Sequence, residues 1–219
     1  MDCAVAGLLF CSSAHAGGWS TARCGETFTT NIRLTSDLDC SGPGLIIGAD
    51  DISIDLNGYT ISCDTTGYIG IDNSDGSDGV TIKNGTIEGF DEAIQAEDAD
   101  DFTIKGIEIL GASGPAPTTG AIHVLGGEDV VVRDCEITVD ALSGGPHGIR
   151  LDSVTDVVIQ DVDIEGSFVG VSFFSYVNGT PGIGNPTTGR IQNCTMDGCY
   201  SSGVLLASTD DASVKNCVM

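Results

Sequence analysis

One short pattern occurs seven times between Ile54 and the C-terminus, and this repetition restricts the fold more than any other feature of the chain. Each copy has an apolar anchor, one or two polar residues, an Asn, Asp or Gly, and a second apolar anchor. The copies span residues 54–61, 82–87, 104–109, 132–137, 159–164, 191–196 and 214–219. From the second copy onward the two anchors are five residues apart. Short segments that recur so regularly predict stacked strands.

A second series, a Gly or Ala followed by Ile or Val, precedes the anchors. Its members are Gly70-Ile71, Ala93-Ile94, Ala121-Ile122, Gly148-Ile149, Gly170-Val171 and Gly203-Val204. Asp also stands three residues before an anchor, at Asp51, Asp101, Asp129, Asp156 and Asp211. The repeats are 22 to 32 residues long, and one loop accounts for most of this variation.

Short fixed strands with one variable connection predict an all-β, right-handed parallel β-helix, a single-chain solenoid of about seven coils. Alternation with period two separates the interior from the surface, so that Ile149 and Leu151 point inward and Arg150 points outward. An antiparallel sandwich is the alternative, but it would not keep residue types in register over seven copies. Asn84, Asp134, Asp161, Asn193 and Asn216 share the turn position, where their side chains tolerate left-handed backbone.

Residues 24–219 resemble the pectate-lyase-like superfamily of β-helix proteins. The most specific part is Cys24-Gly25-Glu26-Thr27 with residues 34–40 and 44–61, which looks like the opening of secreted bacterial and archaeal β-helix repeat proteins. That subfamily has no uniform activity, so the resemblance implies a fold more than a function. Pro146-His147-Gly148-Ile149-Arg150 faintly resembles elements of polygalacturonases, but Pro146 replaces a Gly and their Lys is missing.

The chain divides into three parts by its sequence. Residues 1–16, with an apolar run and Ala14-His15-Ala16, predict a signal peptide, so we expect a secreted, periplasmic or cell-surface protein. Residues 17–43 are expected to form an N-terminal cap and residues 44–219 the repeats. No apolar run is long enough to predict a transmembrane helix. The last repeat ends without a polar cap. We therefore expect either further coils after Met219 or another segment that covers the open end of the helix.

The cysteines fall into two groups. Cys24 and Cys40 flank the expected cap, and a disulfide between them would close a loop of about 16 residues, stabilising the fold by about 3 kcal/mol. Cys135, Cys194 and Cys217 share an inward position and are interpreted as small buried apolar residues. A disulfide between Cys194 and Cys217, on adjacent coils, is compatible with the pattern but not required by it.

The chain is strongly acidic, with 32 acids, eight bases and a formal charge of −24. This balance excludes nucleic acid as an expected partner. Most of the Asp residues are interpreted as turn formers and solubilising residues. Ca²⁺ is the one cofactor that the sequence leaves open, because oxygen-bearing residues alternate between Asp72 and Asp78, although a plain turn also explains that segment.

One surface patch collects polar residues from three coils. Glu97, His123, Arg150 and Asp152 are the candidate catalytic residues, and the candidate substrate-binding residues are Asp72, Gln95, His147, Phe174 and Tyr176. Loops 110–120 and 139–146 enter beside the patch, and the longest insertion, 174–189, leaves it. Loops of this kind form cleft walls on a rigid scaffold.

Three functions are compatible with these observations. The first is a secreted β-helix that binds or scaffolds extracellular polysaccharide without catalysis. The second is a glycoside hydrolase, lyase or epimerase, in which Glu97 and Asp152, two coils apart, would be spaced like the carboxyls of an inverting glycosidase. The third, supported only by resemblance in fold, is a periplasmic accessory protein for copper-enzyme maturation. None of the three requires a cofactor.

Overall fold

The computed structural model describes residues 21–114, 118–140, 145–177, 180–181, 187–207 and 209–219, and all regular structure in them is β-strand. Sheet 1 consists of β1 (Glu26–Phe28), β4 (Leu45–Ile47), β7 (Ile69–Asn73), β9 (Glu92–Glu97), β11 (Gly120–Leu125), β13 (His147–Asp152), β15 (Val169–Phe174) and β20 (Ser202–Leu206), in that order. The main path of sheet 2 consists of β2 (Ile32–Arg33), β5 (Ser53–Asp55), β8 (Thr81–Glu88), β10 (Thr103–Ala112), β12 (Val131–Val139), β14 (Val157–Glu165), β18 (Thr187–Gln192) and β21 (Thr209–Lys215). Sheet 2 also contains β3 (Leu38–Cys40), β6 (Thr60–Cys63) and β19 (Thr195–Asp197), while β16 (Tyr176–Val177) and β17 (Thr180–Pro181) form a small antiparallel pair.

The predicted signal peptide lies outside the described residues. So do residues 115–117 and 141–144 of the two loops beside the candidate site, and residues 178–179 and 182–186 of the long insertion. Within the described part of the chain, no helix is long and apolar enough to cross a membrane.

The chain alternates between the two sheets, and all strand pairs within each sheet are parallel. Each coil therefore stacks on the preceding one, which is the predicted parallel β-helix. The seven first anchors pair directly: Ile54 with Ile82, then Ile104, Val132, Ile159, Ile191 and Val214. The Gly/Ala-Ile series is in register as well, from Ile71 through Ile94, Ile122, Ile149 and Val171 to Val204.

The anchors form the apolar interior of the helix. Ile82, Ile104 and Ile159 have no exposed surface, and burying a side chain of this size contributes about 1.5–3 kcal/mol. Because each anchor covers its neighbours on the adjacent coils, the interior is continuous along the axis.

Sheet 1 has eight strands, one more than the number of repeats in the sequence. The additional coil consists of β1, β2 and β3, which pair with β4, β5 and β6. Its anchors, Ile32 and Leu38, pair with Ile54 and Ile61. These two anchors are six residues apart, which places them outside the five-residue pattern. The segment expected to be a cap thus contains a coil of the helix.

The polar turn positions adopt the left-handed backbone that the sequence predicts. Asn84, Asp134, Asp161, Asn193 and Asn216 all have φ between 53° and 61°. The Asp residues that precede the anchors do so too, with φ of 52° to 57°. Adjacent coils are also joined by side chains, since Asn84 Nδ2 donates to Asp55 Oδ1 at 3.1 Å. Turn chemistry therefore explains a large share of the acidic residues.

The small residue of the Gly/Ala-Ile series lies where the two sheets come close. A β-carbon on Gly170 would be 2.5 Å from the Gly203 carbonyl oxygen and 2.8 Å from Met196 Cγ. Gly148 is equally restricted, by the Gly170 carbonyl oxygen and Ile164 Cγ2, both 2.6 Å away. This crowding explains why residues 148 and 170 are Gly, since any β-carbon there would overlap neighbouring atoms.

The predicted disulfide between Cys24 and Cys40 is present, with Cα atoms 5.6 Å apart. Cys135 and Cys194 are buried free thiols, as predicted, and burial raises the pKa of each to about 11. Cys217, on the last coil, is only partly buried. The bridge to Cys194 that the sequence left open is not formed.

Candidate functional site

The candidate site lies on the outer face of sheet 1, where β9, β11 and β13 are neighbours. The register places Asp72, Gln95, His123, Arg150 and Ser172 in one column. A second column, two residues further along each strand, contains Glu97, Leu125, Asp152 and Phe174. Both columns agree with the outward positions predicted from the sequence. The parallel stacking brings together residues that are far apart in the chain.

His123 is held between two carboxylates. Its Nδ1 lies 3.2 Å from Glu92 Oε2, and its Nε2 lies 3.1 Å from Asp152 Oδ2. Burial alone would lower the pKa of His123, but the hydrogen bonds that its ring donates to Asp152 and Glu92, together with their charges, outweigh this effect and raise the pKa to about 9. At neutral pH the ring is therefore an imidazolium that donates from both nitrogens.

Asp152 is the centre of this group of side chains. Its Oδ2 accepts a second hydrogen bond from Arg150 Nε, at 2.8 Å, and both side chains are only 5% exposed. The guanidinium carbon of Arg150 lies 4.9 Å from the centroid of the Phe174 ring, a cation–π distance. Glu92, His123, Asp152 and Arg150 thus form one ionic network, hereafter the His123 network, in which Asp152 and Arg150 are buried and Glu92 and His123 partly buried.

Glu92 is the member of this network that sequence reasoning missed. It opens β9, two residues before Ile94, and pairs with Ile69 of β7, while its side chain reaches His123 on the opposite neighbour, β11. Its position two residues before Ile94 does not predict a contact with a residue of β11. The contact depends on a diagonal reach between strands, which only the three-dimensional stacking reveals.

Glu97 and Gln95 form a separate pair on β9. Gln95 Nε2 donates to Glu97 Oε1 at 3.0 Å, and both side chains are partly exposed. Leu125 stands between Glu97 and Asp152 in the column, as the two-coil separation predicts. Glu97 is therefore near the His123 network but outside it.

His147 and Phe174 are placed at the edge of the site. His147 is 2% exposed, and its ring makes edge-to-face contacts with Phe168 and Phe174, both at 5.9 Å between centroids. Because His147 is so enclosed, it packs against the edge of the site. Tyr176 lies in β16, and its side chain belongs to the part of the chain that is not described.

Asp72 lies on β7, two strands away from His123, at the start of the acidic turn. The backbone N–H of Ser74 donates to Asp72 Oδ1 at 3.0 Å. Further along, Asn73 is fully buried and bridges the turn, because its amide donates to the Ser77 carbonyl at 2.9 Å and accepts from the Ser77 N–H at 3.1 Å. The side-chain oxygens of Asp72 and Asn73 therefore accept hydrogen bonds from backbone N–H groups of the turn itself. Among the described residues, no group of three or more His, Cys, Asp or Glu side chains is arranged so that it could hold a metal ion.

The arrangement restricts which groups can take part in chemistry. A His123 that is protonated on both nitrogens is a hydrogen-bond donor and not a general base at neutral pH. Arg150 is engaged by Asp152 and covered by its surroundings. The partly exposed groups that a ligand would meet on β9 are the amide of Gln95 and the carboxylate of Glu97. The catalytic roles assigned from the sequence therefore stay predictions.

A family model described as the right-handed beta helix region matches residues 26–217. The chain belongs to this family, and the match includes the first coil, formed by β1 to β3. The right-handed sense predicted from the sequence is that of the family. Neither the curated proteins nor the solved structures include a match to this chain.

Proposed function

We propose that this β-helix protein is secreted and binds extracellular polysaccharide on the outer face of sheet 1, without catalysing its breakdown. The observation that carries this proposal is the His123 network, in which the charged groups at the centre of the face are paired and immobilised. Polar groups that are held in place in advance lose little entropy when a sugar binds.

The accessible groups on this face are of the kind that recognises sugars. The Gln95–Glu97 pair offers an amide donor and a carboxylate acceptor in a fixed arrangement. Phe174, partly exposed and held against Arg150 and His147, adds an aromatic edge. Phe174, on β15, is three strands from the Gln95–Glu97 pair on β9, so stacking places these groups about 14 Å apart along the axis, which suits a ligand longer than one sugar.

The test is a binding screen of the purified protein against a polysaccharide panel, with and without Ca²⁺, read by affinity electrophoresis and calorimetry. Gln95→Ala is expected to weaken binding about tenfold, since it removes the amide donor and releases Glu97. Thr35→Ala, in the exposed turn between β2 and β3, is the control and should bind like the unmodified protein. Equal binding by both variants would contradict the placement of the ligand on sheet 1.

A polysaccharide hydrolase or lyase is the second candidate. Glu97 and Asp152 share one column with a single residue between them, and Asp152 Oδ1 is buried with no hydrogen-bond partner among the described residues. The same panel, read for reducing ends and unsaturated products, tests this function. Product formation that is lost in Glu97→Gln, with binding retained, would replace the binding proposal with an enzymatic one.

A further inference from the structure

Sheet 2 carries a second polar surface, separate from the His123 network on sheet 1. In six successive strands, the residue directly after the first anchor points outward. The register aligns these residues in one column: Lys83, Lys105, Arg133, Gln160, Gln192 and Lys215. On the preceding strand, β5, the column ends at an acid, since Asp55 follows Ile54 and pairs with Lys83. A parallel column, two residues earlier in each strand, contains Thr81, Thr103, Val131, Val158, Arg190 and Ser213.

The charge of these two columns is opposite to that of the chain. The twelve positions carry five of the eight Lys and Arg residues and none of the 32 acids. Of the other three bases, Arg150 is buried in the His123 network, Arg33 lies 3.9 Å from Asp55 in an ion pair, and Arg23 is exposed ahead of β1. We call the five cations, Lys83, Lys105, Arg133, Arg190 and Lys215, the basic stripe.

The cations of the stripe are not used to hold the fold together. Within the part of the chain that the structure describes, no carboxylate lies within ion-pair distance of Lys83, Lys105 or Arg133. These three occupy consecutive strands, about 4.8 Å apart, and like charges directly opposite each other in a sheet are destabilising. An alignment that costs stability is better explained by a ligand than by folding.

Acidic residues border the stripe on both sides. Asp101, Asp129 and Asp156 precede the strands, and Asp134 and Asp161 occupy the left-handed corner that follows them. The positive surface is therefore long and narrow. A narrow positive surface fits a single linear chain better than it fits a broad acidic protein surface. None of the twelve positions is an aromatic residue on which a nucleic acid base could stack.

We propose that the basic stripe binds a linear polysaccharide that carries an anionic group, a carboxylate or a sulfate, on successive sugars. The chain would lie along the helix axis. The strand spacing is close to the length of one sugar in an extended chain, so Lys83, Lys105 and Arg133 would meet anionic groups on successive units. Gln192 Nε2, which donates to Gln160 Oε1 at 2.8 Å, continues the polar column toward Lys215.

The experiment measures binding of the full chain to three polymers in EDTA, which prevents bridging by divalent cations. Alginate carries carboxylates, dextran sulfate carries sulfates, and dextran is neutral. We expect the charged polymers to bind and the triple variant Lys83→Gln/Lys105→Gln/Arg133→Gln to bind them at least about tenfold more weakly. Raising NaCl from about 50 to about 500 mM should weaken the interaction as well. The polymer with the higher affinity identifies the preferred anionic group.

Two control variants separate the stripe from general electrostatics and from sheet 1. Ser36→Asp/Thr66→Asp/Ser201→Asp changes three exposed residues elsewhere and lowers the net charge by the same three units, so it should retain binding. Gln95→Ala tests the sheet 1 face, so charged-polymer binding that is lost in Gln95→Ala and retained in the stripe variant would place the polymer on sheet 1 instead. Binding at the stripe can thus succeed or fail independently of the proposed function.

Three further results would overturn the proposal. The first is an equal loss of affinity in both triple variants, which would show that net charge alone matters. The second is equally tight binding of single-stranded DNA, which would remove the preference for a polysaccharide. The third is self-association that is lost only in the stripe variant, because the occupant of the stripe would then be a second copy of the chain.

Discussion

At the scale of single residues, two kinds of side chain carry most of the specific information. Asn and Asp at the corners allow left-handed backbone and connect adjacent coils by hydrogen bonds. The second kind is ionic, as in the His123 network, where two carboxylates stabilise the partly buried imidazolium between them. Each kind leads to a measurable prediction.

Replacing Asn84 by Ala should lower the free energy of unfolding by about 1–2 kcal/mol, because Ala is strained at a φ of 61° and cannot donate to Asp55. Urea unfolding followed by circular dichroism measures the change. Asn84→Gly is the matched control, because glycine tolerates the same backbone and loses only the hydrogen bond. Equal losses in the two variants would show that backbone strain is not the cause.

The His123 network should make stability depend on pH in the alkaline range. The folded-state pKa of His123, about 9, exceeds the ordinary value of 6.5, so the stabilisation is fully present below pH 6.5 and is lost as the pH rises through 9. The loss is expected to be on the order of 3 kcal/mol. Urea unfolding at pH 6 and pH 10 measures it, with His123→Gln as the reference. Parallel pH profiles for the two proteins would contradict the raised pKa.

At the scale of the strand, the fold depends on how closely the two sheets approach at the bend between them. The Gly/Ala-Ile series marks this approach, and the anchors that follow it fill the interior. The position of a glycine therefore decides whether it can be replaced. The chain contains glycines in crowded positions and glycines in open ones.

Gly170→Ala should destabilise the protein by about 1–3 kcal/mol, because its new β-carbon would overlap the Gly203 carbonyl oxygen and the Met196 side chain. Gly42→Ala is the matched control, since a β-carbon there meets no atom within 4 Å. Thermal unfolding of both variants gives the comparison. A stable Gly170→Ala protein would mean that the bend is less tightly packed than the structure indicates.

At the scale of the whole molecule, a solenoid of eight coils carries a formal charge of −24. Much of this charge lies in turns that repeat along the axis, so like charges recur at the spacing of the coils. The basic stripe is the exception, a line of positive charge on an otherwise acidic rod. Self-repulsion on this scale should oppose the compact state.

Raising NaCl from about 20 to about 300 mM should increase the melting temperature by on the order of 5 °C, because salt screens this repulsion. KCl at the same concentration is the control and should act equally. A fall in melting temperature would contradict the importance of self-repulsion. A much larger rise in CaCl₂ of equal ionic strength would instead indicate specific binding of Ca²⁺.

The sequence determined the coil, its register and its corners, because these depend on local patterns that stacking repeats in every copy. The anchors, the outward columns and the Asn and Asp turns were therefore predictable residue by residue. The basic stripe is equally readable in the sequence, because four of its five cations directly follow a first anchor and Arg190 directly precedes one. Only the tertiary structure decided which side chains touch. The reach of Glu92 to His123 and the burial of Arg150 depend on diagonal contacts and on coverage by neighbouring segments, and no period in the sequence encodes either of them.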